Sequence, residues 1–331
     1  MQSNYAYISL HGLMLSTQAY NQKTASVLRI LLSVSALIWP LTTQSSVGAE
    51  LPNAQRTHTD RSHWLTLEGE TRARFETLDG QFRANGKGGD QLLALRTLLR
   101  AEARLPRSTT HQPNSPVITW GIELQNSRTY LGDDGTPLSS SYTNPLDVLQ
   151  LYARADNLPS VIDNDATSHL THGRQTVSIG SKRQIERVSY ANVIKSYTGA
   201  HWVNHSGQDD QLHAIYVVPI NRRPGTQTEI LDNELESDKE QWQRRIWGLH
   251  FIKRETLSER VSNLQGEAFI YGLEENDSQR FQTPDRAYTT VGFRLFQEAQ
   301  ANQWDNDIEA AYRSGTRYES SNPADTSSLE V

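Results

Sequence analysis

The feature that most constrains this chain is a strict alternation of residue types between Trp64 and Thr77. One set of alternate positions is apolar or small: Leu65, Leu67, Gly69, Thr71, Ala73 and Phe75. The positions between them carry five charges: Thr66, Glu68, Glu70, Arg72, Arg74 and Glu76. A period of two places successive side chains on opposite faces of a β-strand. Charges at this density must face water or one another, so the opposite face must meet a second sheet or lipid.

The pattern returns further along the chain. Between Leu93 and Leu105, leucine and alanine alternate with a face that carries Arg96, Arg100 and Glu102. Shorter alternations occupy 118–125 and 149–154. Further candidate strands lie near 172–180, 195–204, 211–219, 242–253, 263–273, 288–297 and 303–314. We count about eleven strands, with a twelfth that could begin near Ser327, and find no long helical period.

The predicted fold class is therefore all-β. Long strands with charge-rich polar faces favour an antiparallel transmembrane β-barrel over a β-sandwich, whose strands are shorter. The mean hydropathy of −0.63 agrees with this, since barrel strands are only half apolar. A helical membrane protein would need apolar runs of about 20 residues in the body of the chain, where the sequence has none.

One apolar run, residues 30–39, lies near the start. Lys23 and Arg29 precede it, no acidic residue occurs before Glu50, and small residues fill 47–49. This pattern predicts a signal peptide over 1–49, with translation starting at Met1 or Met14, and an outer-membrane β-barrel domain over 50–331. A single membrane anchor is the alternative, but the run is short and a cleavage-like site follows it. We expect the protein in the bacterial outer membrane, in contact with its lipid.

Charged residues on the polar strand faces are the candidate site. If the strands close a barrel, these side chains line its lumen. Arginine binds carboxylates through two parallel hydrogen bonds, which suits an acidic solute. The alternative is that arginine and glutamate simply pair across strands. The candidate pore-lining and anion-binding residues are Arg72, Arg74, Arg96, Arg100, Arg128, Arg154, Arg174, Arg294, Glu70, Glu102 and Glu123.

Other chemistries lack their motifs. The chain has no Cys, no GxSxG, no HExxH and no P-loop spacing around Gly180-Ser181-Lys182-Arg183. We therefore expect no enzyme and no cofactor, although Ca²⁺ could bind loosely at Asp133-Asp134 or Asp209-Asp210. Histidines at 169, 172, 201 and 205 lie near strands, where their spacing does not favour a metal site. Beyond the signal region, 30 basic residues face 38 acidic ones, which argues against nucleic-acid binding.

Several segments together resemble the alginate-export family of outer-membrane barrels. They are Arg72-Ala73-Arg74-Phe75-Glu76, Gly89-Asp90-Gln91, Leu95 to Glu102, Glu123 to Arg128, Asn144-Pro145-Leu146 through Tyr152, Gly173-Arg174-Gln175, Ile179 to Arg183, Leu231 to Glu234, and Gly292-Phe293-Arg294-Leu295. Their order and spacing extend over about 64–330. The resemblance implies an antiparallel barrel of about eighteen strands and an arginine-rich lumen that passes an acidic polyuronate. The same resemblance implies that six arginines line the lumen: Arg74, Arg96, Arg100, Arg128, Arg154 and Arg174.

The sequence departs from that family pattern in its number of strands. About eleven or twelve strands are visible instead of eighteen, and residues 325–331 do not form a full strand with a terminal aromatic residue. An open edge in lipid leaves backbone groups unpaired. We therefore expect the chain to be C-terminally truncated relative to a complete barrel.

These observations predict a passive pore for export or diffusion of an anionic small molecule or acidic polysaccharide such as alginate. Periplasmic export partners would fit that role. The alternative is a secreted or periplasmic β-sandwich that binds glycans, in which Leu65, Leu67, Ala73 and Phe75 would pack on a second sheet.

Overall fold

The computed structural model describes residues 6–7, 64–79, 89–106, 115–133, 136, 138–160, 166–206, 209–254, 256–257, 263–276, 282–301, 304–322 and 328–330. All of these described residues belong to one compact unit. The predicted signal peptide therefore lies outside the described residues, apart from positions 6 and 7.

Within these ranges the chain forms fourteen β-strands and one helix of five residues. The strands are β1 (Ala6–Tyr7), β2 (Leu65–Asp79), β3 (Gly89–Pro106), β4 (Val117–Tyr130), β5 (Asn144–Pro159), β6 (Thr167–Gln175), β7 (Tyr197–Ser206), β8 (Asp210–Asn221), β9 (Lys239–Glu240), β10 (Arg244–Lys253), β11 (Gln265–Glu275), β12 (Ala287–Gln297), β13 (Asn306–Tyr318) and β14 (Ser328–Glu330). The helix is α1 (Gln227–Leu231). None of the helical structure in the described ranges is long and apolar enough to cross a lipid bilayer.

The strands form an antiparallel meander. Strands β1 to β8 and then β10 to β14 pair in chain order, and β9 pairs only with the end of β8. From β2 to β8 and from β11 to β14, each strand pairs with the strand that precedes it in the chain, which is the arrangement that alternating segments separated by turn residues favour. Among the described residues, no pairing joins the last strands to the first, so this sheet is open.

The two faces of the sheet differ in polarity, and the pattern of buried and exposed side chains is the opposite of that in a water-soluble protein. On one face, charged side chains are covered: Arg96 and Glu123 are each 3% exposed. On the other, large apolar side chains are bare: Leu67 is 66% exposed, and Leu99 and Leu151 are each 55% exposed. We call these the polar face and the apolar face. Cross-strand pairing keeps the faces in phase, as where Arg72 lies opposite Arg96 and Leu95 opposite Ala73.

The predicted fold class is confirmed. The sheet is antiparallel and consistent with a β-barrel, eleven strands have nine residues or more, and β14 begins at Ser328 beside the predicted twelfth strand. One predicted strand is displaced: the candidate at 172–180 is found at Thr167–Gln175. Residues 176–180 leave the sheet because their apolar side chains, Val177 and Ile179, are buried in a separate core cluster.

Candidate solute passage on the polar face

Strand phase brings nine of the predicted site residues to the polar face. On β2 and β3, Arg72 pairs with Arg96 across the strands, and Glu70 pairs with Leu98 in the same phase. The remaining strands continue the face through Glu123, Arg154 and Arg294. The full set on this face is Arg72, Arg74, Arg96, Arg100, Arg154, Arg294, Glu70, Glu102 and Glu123.

Arg128 does not belong to that set. It lies opposite Leu95 on β3 and in phase with Ile122 and Leu124, on the apolar face. The observed strand phase therefore departs from the polar-face and lumen position that we predicted for Arg128. Because side chains alternate between the two faces of a strand, Arg128 lies on the same face as Ile122 and Leu124 unless a bulge intervenes. The β3–β4 pairing is continuous through this region.

Arg174 also lies apart from the other arginines. It pairs with Leu151 on β5 and Thr198 on β7, near the end of β6. Its guanidinium lies 3.5 Å from Asp147 and 3.2 Å from Asp238. Its pairing with Leu151 gives Arg174 the phase of the apolar face, and its two partners are Asp147 on β5 and Asp238 in the connection that precedes β9.

Several arginines of the polar face pair with carboxylates of neighbouring positions. Arg100 donates to Glu102 at 2.7 Å, and Arg154 donates to Asp156 at 2.8 Å. Arg294 bridges β11 and β13, since it donates to Glu267 at 2.8 Å and to Asp307 at 2.7 Å. The polar face therefore presents paired charges of both signs.

A single connection covers much of the polar face. Residues 176–196, which we call the crossing segment, join β6 to β7. Their first part is apolar: Val177, Ile179 and Ile185 are buried in a cluster. The other buried members of that cluster come from β7, β8 and β11: Tyr197, Ile215, Val217, Phe269 and Tyr271. This part of the segment is therefore fixed to the sheet by apolar contacts.

The later part of the crossing segment is fixed to β2 and β3 by arginines. Arg96 donates to the carbonyl oxygens of Ser189 and Ala191, both at 2.7 Å. Arg72 donates to the carbonyl oxygens of residues 189, 190 and 191 at 3.0–3.1 Å. Arg74 donates to the carbonyl oxygen of Tyr190 at 2.7 Å, and its guanidinium lies 4.7 Å from the Tyr190 ring centroid. Three of the predicted solute-binding arginines thus bind the protein's own backbone.

Further contacts continue the attachment onto β3, β4 and β5. Arg187 donates to both carboxylate oxygens of Glu123, at 2.6 and 3.0 Å. The amide of Ile194 donates to the side chain of Gln125 at 2.9 Å, and the Ile194 side chain packs with Leu98 and Leu149. The pairing of Glu123 with Arg187 explains how a carboxylate is stable at 3% exposure.

The position of this segment is not predictable from local sequence patterns. Its residues 180–183 lack the spacing of a phosphate-binding loop, and residues 176–180 have the alternation of a strand. The polar contacts of this segment with β2, β3 and β4 join residues 64 to 119 positions apart, for example Arg187 to Glu123 and Arg72 to Ala191. A local alternation cannot reveal partners at that separation.

Histidines form a row on the polar face that sequence spacing did not predict. The His201 ring bonds the His213 ring at 3.0 Å between nitrogens, and His213 lies beside His250. His250 contacts the Tyr271 hydroxyl at 2.9 Å and Glu267 at 3.1 Å. Among the described residues, no group of three or more His, Asp or Glu side chains has a geometry that could hold a metal ion.

The acidic pairs considered for Ca²⁺ have other contacts. Asp210 accepts hydrogen bonds from the Lys253 ammonium at 2.6 Å and from the Arg254 amide at 2.8 Å. Asp134 lies outside the described residues. Loose Ca²⁺ binding at Asp133-Asp134 or Asp209-Asp210 stays a prediction.

Comparison with known proteins gives one match. The sequence model of a family described as alginate export matches residues 63–327, which is about four-fifths of the chain and includes β2 to β13. No curated protein and no solved structure matches the chain.

Proposed function

This chain belongs to the alginate-export family, and from that premise we propose that it forms a passive outer-membrane pore for an acidic polysaccharide or a smaller anionic solute. Family membership supports an export role at the outer membrane for an alginate-like polysaccharide, and a transport role instead of an enzymatic one. The pore itself, its preference for anions and any periplasmic partner are parts of this proposal.

The observation that carries the proposal is that charged side chains are buried on the polar face while large apolar side chains are exposed on the apolar face. Monomeric soluble proteins rarely expose contiguous apolar surface beyond a few hundred Å². Here bare apolar side chains extend across the apolar face from β2 to β13, including Leu67, Leu99, Leu151, Leu249 and Phe293. Lipid is the environment that stabilises such a face, and a polar face behind it suits a water-filled lumen.

The runner-up, a soluble glycan-binding β-sandwich, fits less well. A sandwich buries its apolar face against a second sheet about 10 Å away. The main strands of the described residues belong to one sheet, and the side chains that a sandwich would bury are bare: Leu67 is 66% exposed and Phe75 is 40% exposed.

The proposed mechanism uses the paired charges of the polar face. Arg100, Arg154 and Arg294 would attract carboxylates of the passing solute, because guanidinium and carboxylate form strong charge-assisted hydrogen bonds. Their neighbouring carboxylates, Glu102 and Asp156 among them, would compete and keep each contact short-lived. Weak binding at successive positions is what permits passage.

The test is planar-bilayer conductance of the refolded chain without its signal region, titrated with an oligouronate. We expect anion-selective current steps that the oligouronate blocks and a neutral oligosaccharide of equal length does not. Replacing Arg100 and Arg154 by Gln removes two positive charges from the polar face, so the anion-to-cation permeability ratio should fall by about threefold or more.

The matched control for this test is Arg245→Gln, which removes a charge from an exposed position at the end of β10 on the apolar-face phase. That variant should leave the ratio unchanged. Protein that stays soluble without detergent and gives no current steps would instead support the β-sandwich.

A further inference from the structure

We propose that the crossing segment, residues 176–196, sets the narrowest cross-section of the pore, and that Arg72, Arg74 and Arg96 act as positioning residues that hold it in place. This inference rests on the proposed function, because a constriction has meaning only in a pore. It assigns to three arginines of the polar face a role different from solute binding.

The first step is where the segment is attached. Its residues 189–191 are bound by β2 and β3, at one side of the strand order. Its residues 177–185 pack on β7, β8 and β11. Arg183 reaches β13, where it donates to Glu309 at 2.8 Å. A segment held by strands near both sides of the sheet must cross in front of the strands between them, and it crosses on the polar face.

The second step is the nature of the arginine contacts. Three guanidiniums donate six hydrogen bonds to three consecutive carbonyl oxygens. A planar guanidinium can bind two acceptors at once with fixed geometry, whereas an ammonium is a single flexible point charge. Arg96 donates to the carbonyls of both Ser189 and Ala191 through one nitrogen and contacts Glu70 through another. Geometry, and not charge alone, therefore holds the backbone here.

The third step is the other attachment, at Gly180. Its φ of +55° lies in the left-handed region. A Cβ atom at this position would lie 2.4 Å from a Glu267 carboxylate oxygen and 2.6 Å from the His250 ring. Only glycine permits the backbone to approach the β10–β11 wall this closely. The two attachments, at Gly180 and at residues 189–191, can be disturbed independently.

The experiment separates geometry from charge. In the triple variant Arg72→Lys, Arg74→Lys, Arg96→Lys the charge of the polar face is kept and the bidentate geometry is lost. We expect the single-channel conductance to rise by about twofold and the size limit for neutral polymers to increase, with ion selectivity retained. The matched control is Arg245→Lys, at an exposed position at the end of β10 outside the polar face, and it should leave conductance unchanged.

A second variant makes the result independent of how the triple variant folds. Gly180→Val should detach the other part of the segment and also raise the conductance, whereas Gly69→Ala, whose Cβ would lie an ordinary 3.5 Å from Leu99, should not. Current steps of unchanged size in both the Lys and the Gly180 variants would overturn the constriction. Absence of steps in the unmodified protein would instead overturn the pore itself.

Discussion

At the scale of single residues, burial outside the strands produces a titration near neutral pH. Asp238 lies in the connection between α1 and β9 and is buried there. Burial raises its pKa from an ordinary 3.8 to about 7, and the nearby charge of Asp147 adds to this effect. Its carboxylate accepts hydrogen bonds from the Arg223 amide at 2.6 Å and from Asn144 at 3.0 Å.

A raised pKa means that the folded connection holds a proton between about pH 4 and 7 where the unfolded chain does not. The stability of this connection should therefore fall as pH rises through that window and be level above it. We expect hydrogen-exchange protection of the Arg223 amide, corrected for intrinsic exchange, to fall by about tenfold from pH 5 to 8. In Asp238→Asn the protection should be flat, and an equal slope in that variant would exclude Asp238 as the cause.

The faces of individual residues were predictable, but their partners were not. Alternation alone placed Arg72, Arg96 and Arg154 on the polar face, because a strand has a fixed period of two. Arg128 was assigned to the polar face, whereas the observed pairing of β3 with β4 gives it the phase of the apolar face. That Arg72 binds the carbonyl of Ala191 depends on tertiary packing across 119 positions, for which the sequence carries no local signal.

At the scale of the strand, the depth of a residue on the apolar face should decide the effect of a charge. Leu99 lies near the middle of β3 and Leu105 near its end, on the same face, and they are 55% and 52% exposed. Arginine near the bilayer midplane costs about 2–4 kcal/mol, and about 0–1 kcal/mol near the interface. We expect Leu99→Arg to lower the free energy of unfolding from lipid vesicles by about 2–4 kcal/mol, and Leu105→Arg to lower it much less.

Urea titration of tryptophan fluorescence in vesicles measures both variants. Were the apolar face exposed to water, arginine would be tolerated at both positions and the two variants would match the unmodified protein.

The strands themselves were largely predictable, since Leu65–Asp79 and Gly89–Pro106 follow the alternation closely. The displacement of β6 was not, because Val177 and Ile179 satisfy a strand pattern while packing in the cluster beneath the crossing segment.

At the scale of the whole molecule, the connections differ in length between the two ends of the strands. At one end lie 80–88, 131–143, 176–196, 222–243 and 276–286; at the other, where none is longer than 11 residues, lie 107–116, 160–166, 207–209, 254–264 and 298–305. Bacterial barrels place short turns in the periplasm and longer loops outside the cell. The antiparallel class of the sheet was predictable from the alternation of the sequence. The infolding of 176–196 was not, because it depends on the polar face already being assembled.

The asymmetry predicts the orientation of the chain in the membrane, and the absence of cysteine makes it testable with single labels. Leu235→Cys lies in the connection 222–243, and Ala299→Cys lies in 298–305 at the opposite end; both positions are exposed. A membrane-impermeant maleimide should label Leu235→Cys on intact cells, and Ala299→Cys only after the outer membrane is permeabilised. The reverse labelling pattern would place the strand ends that carry residues 176–196 at the periplasmic side. A solute leaving the cell would then meet the constriction at the entrance of the pore and not at its exit.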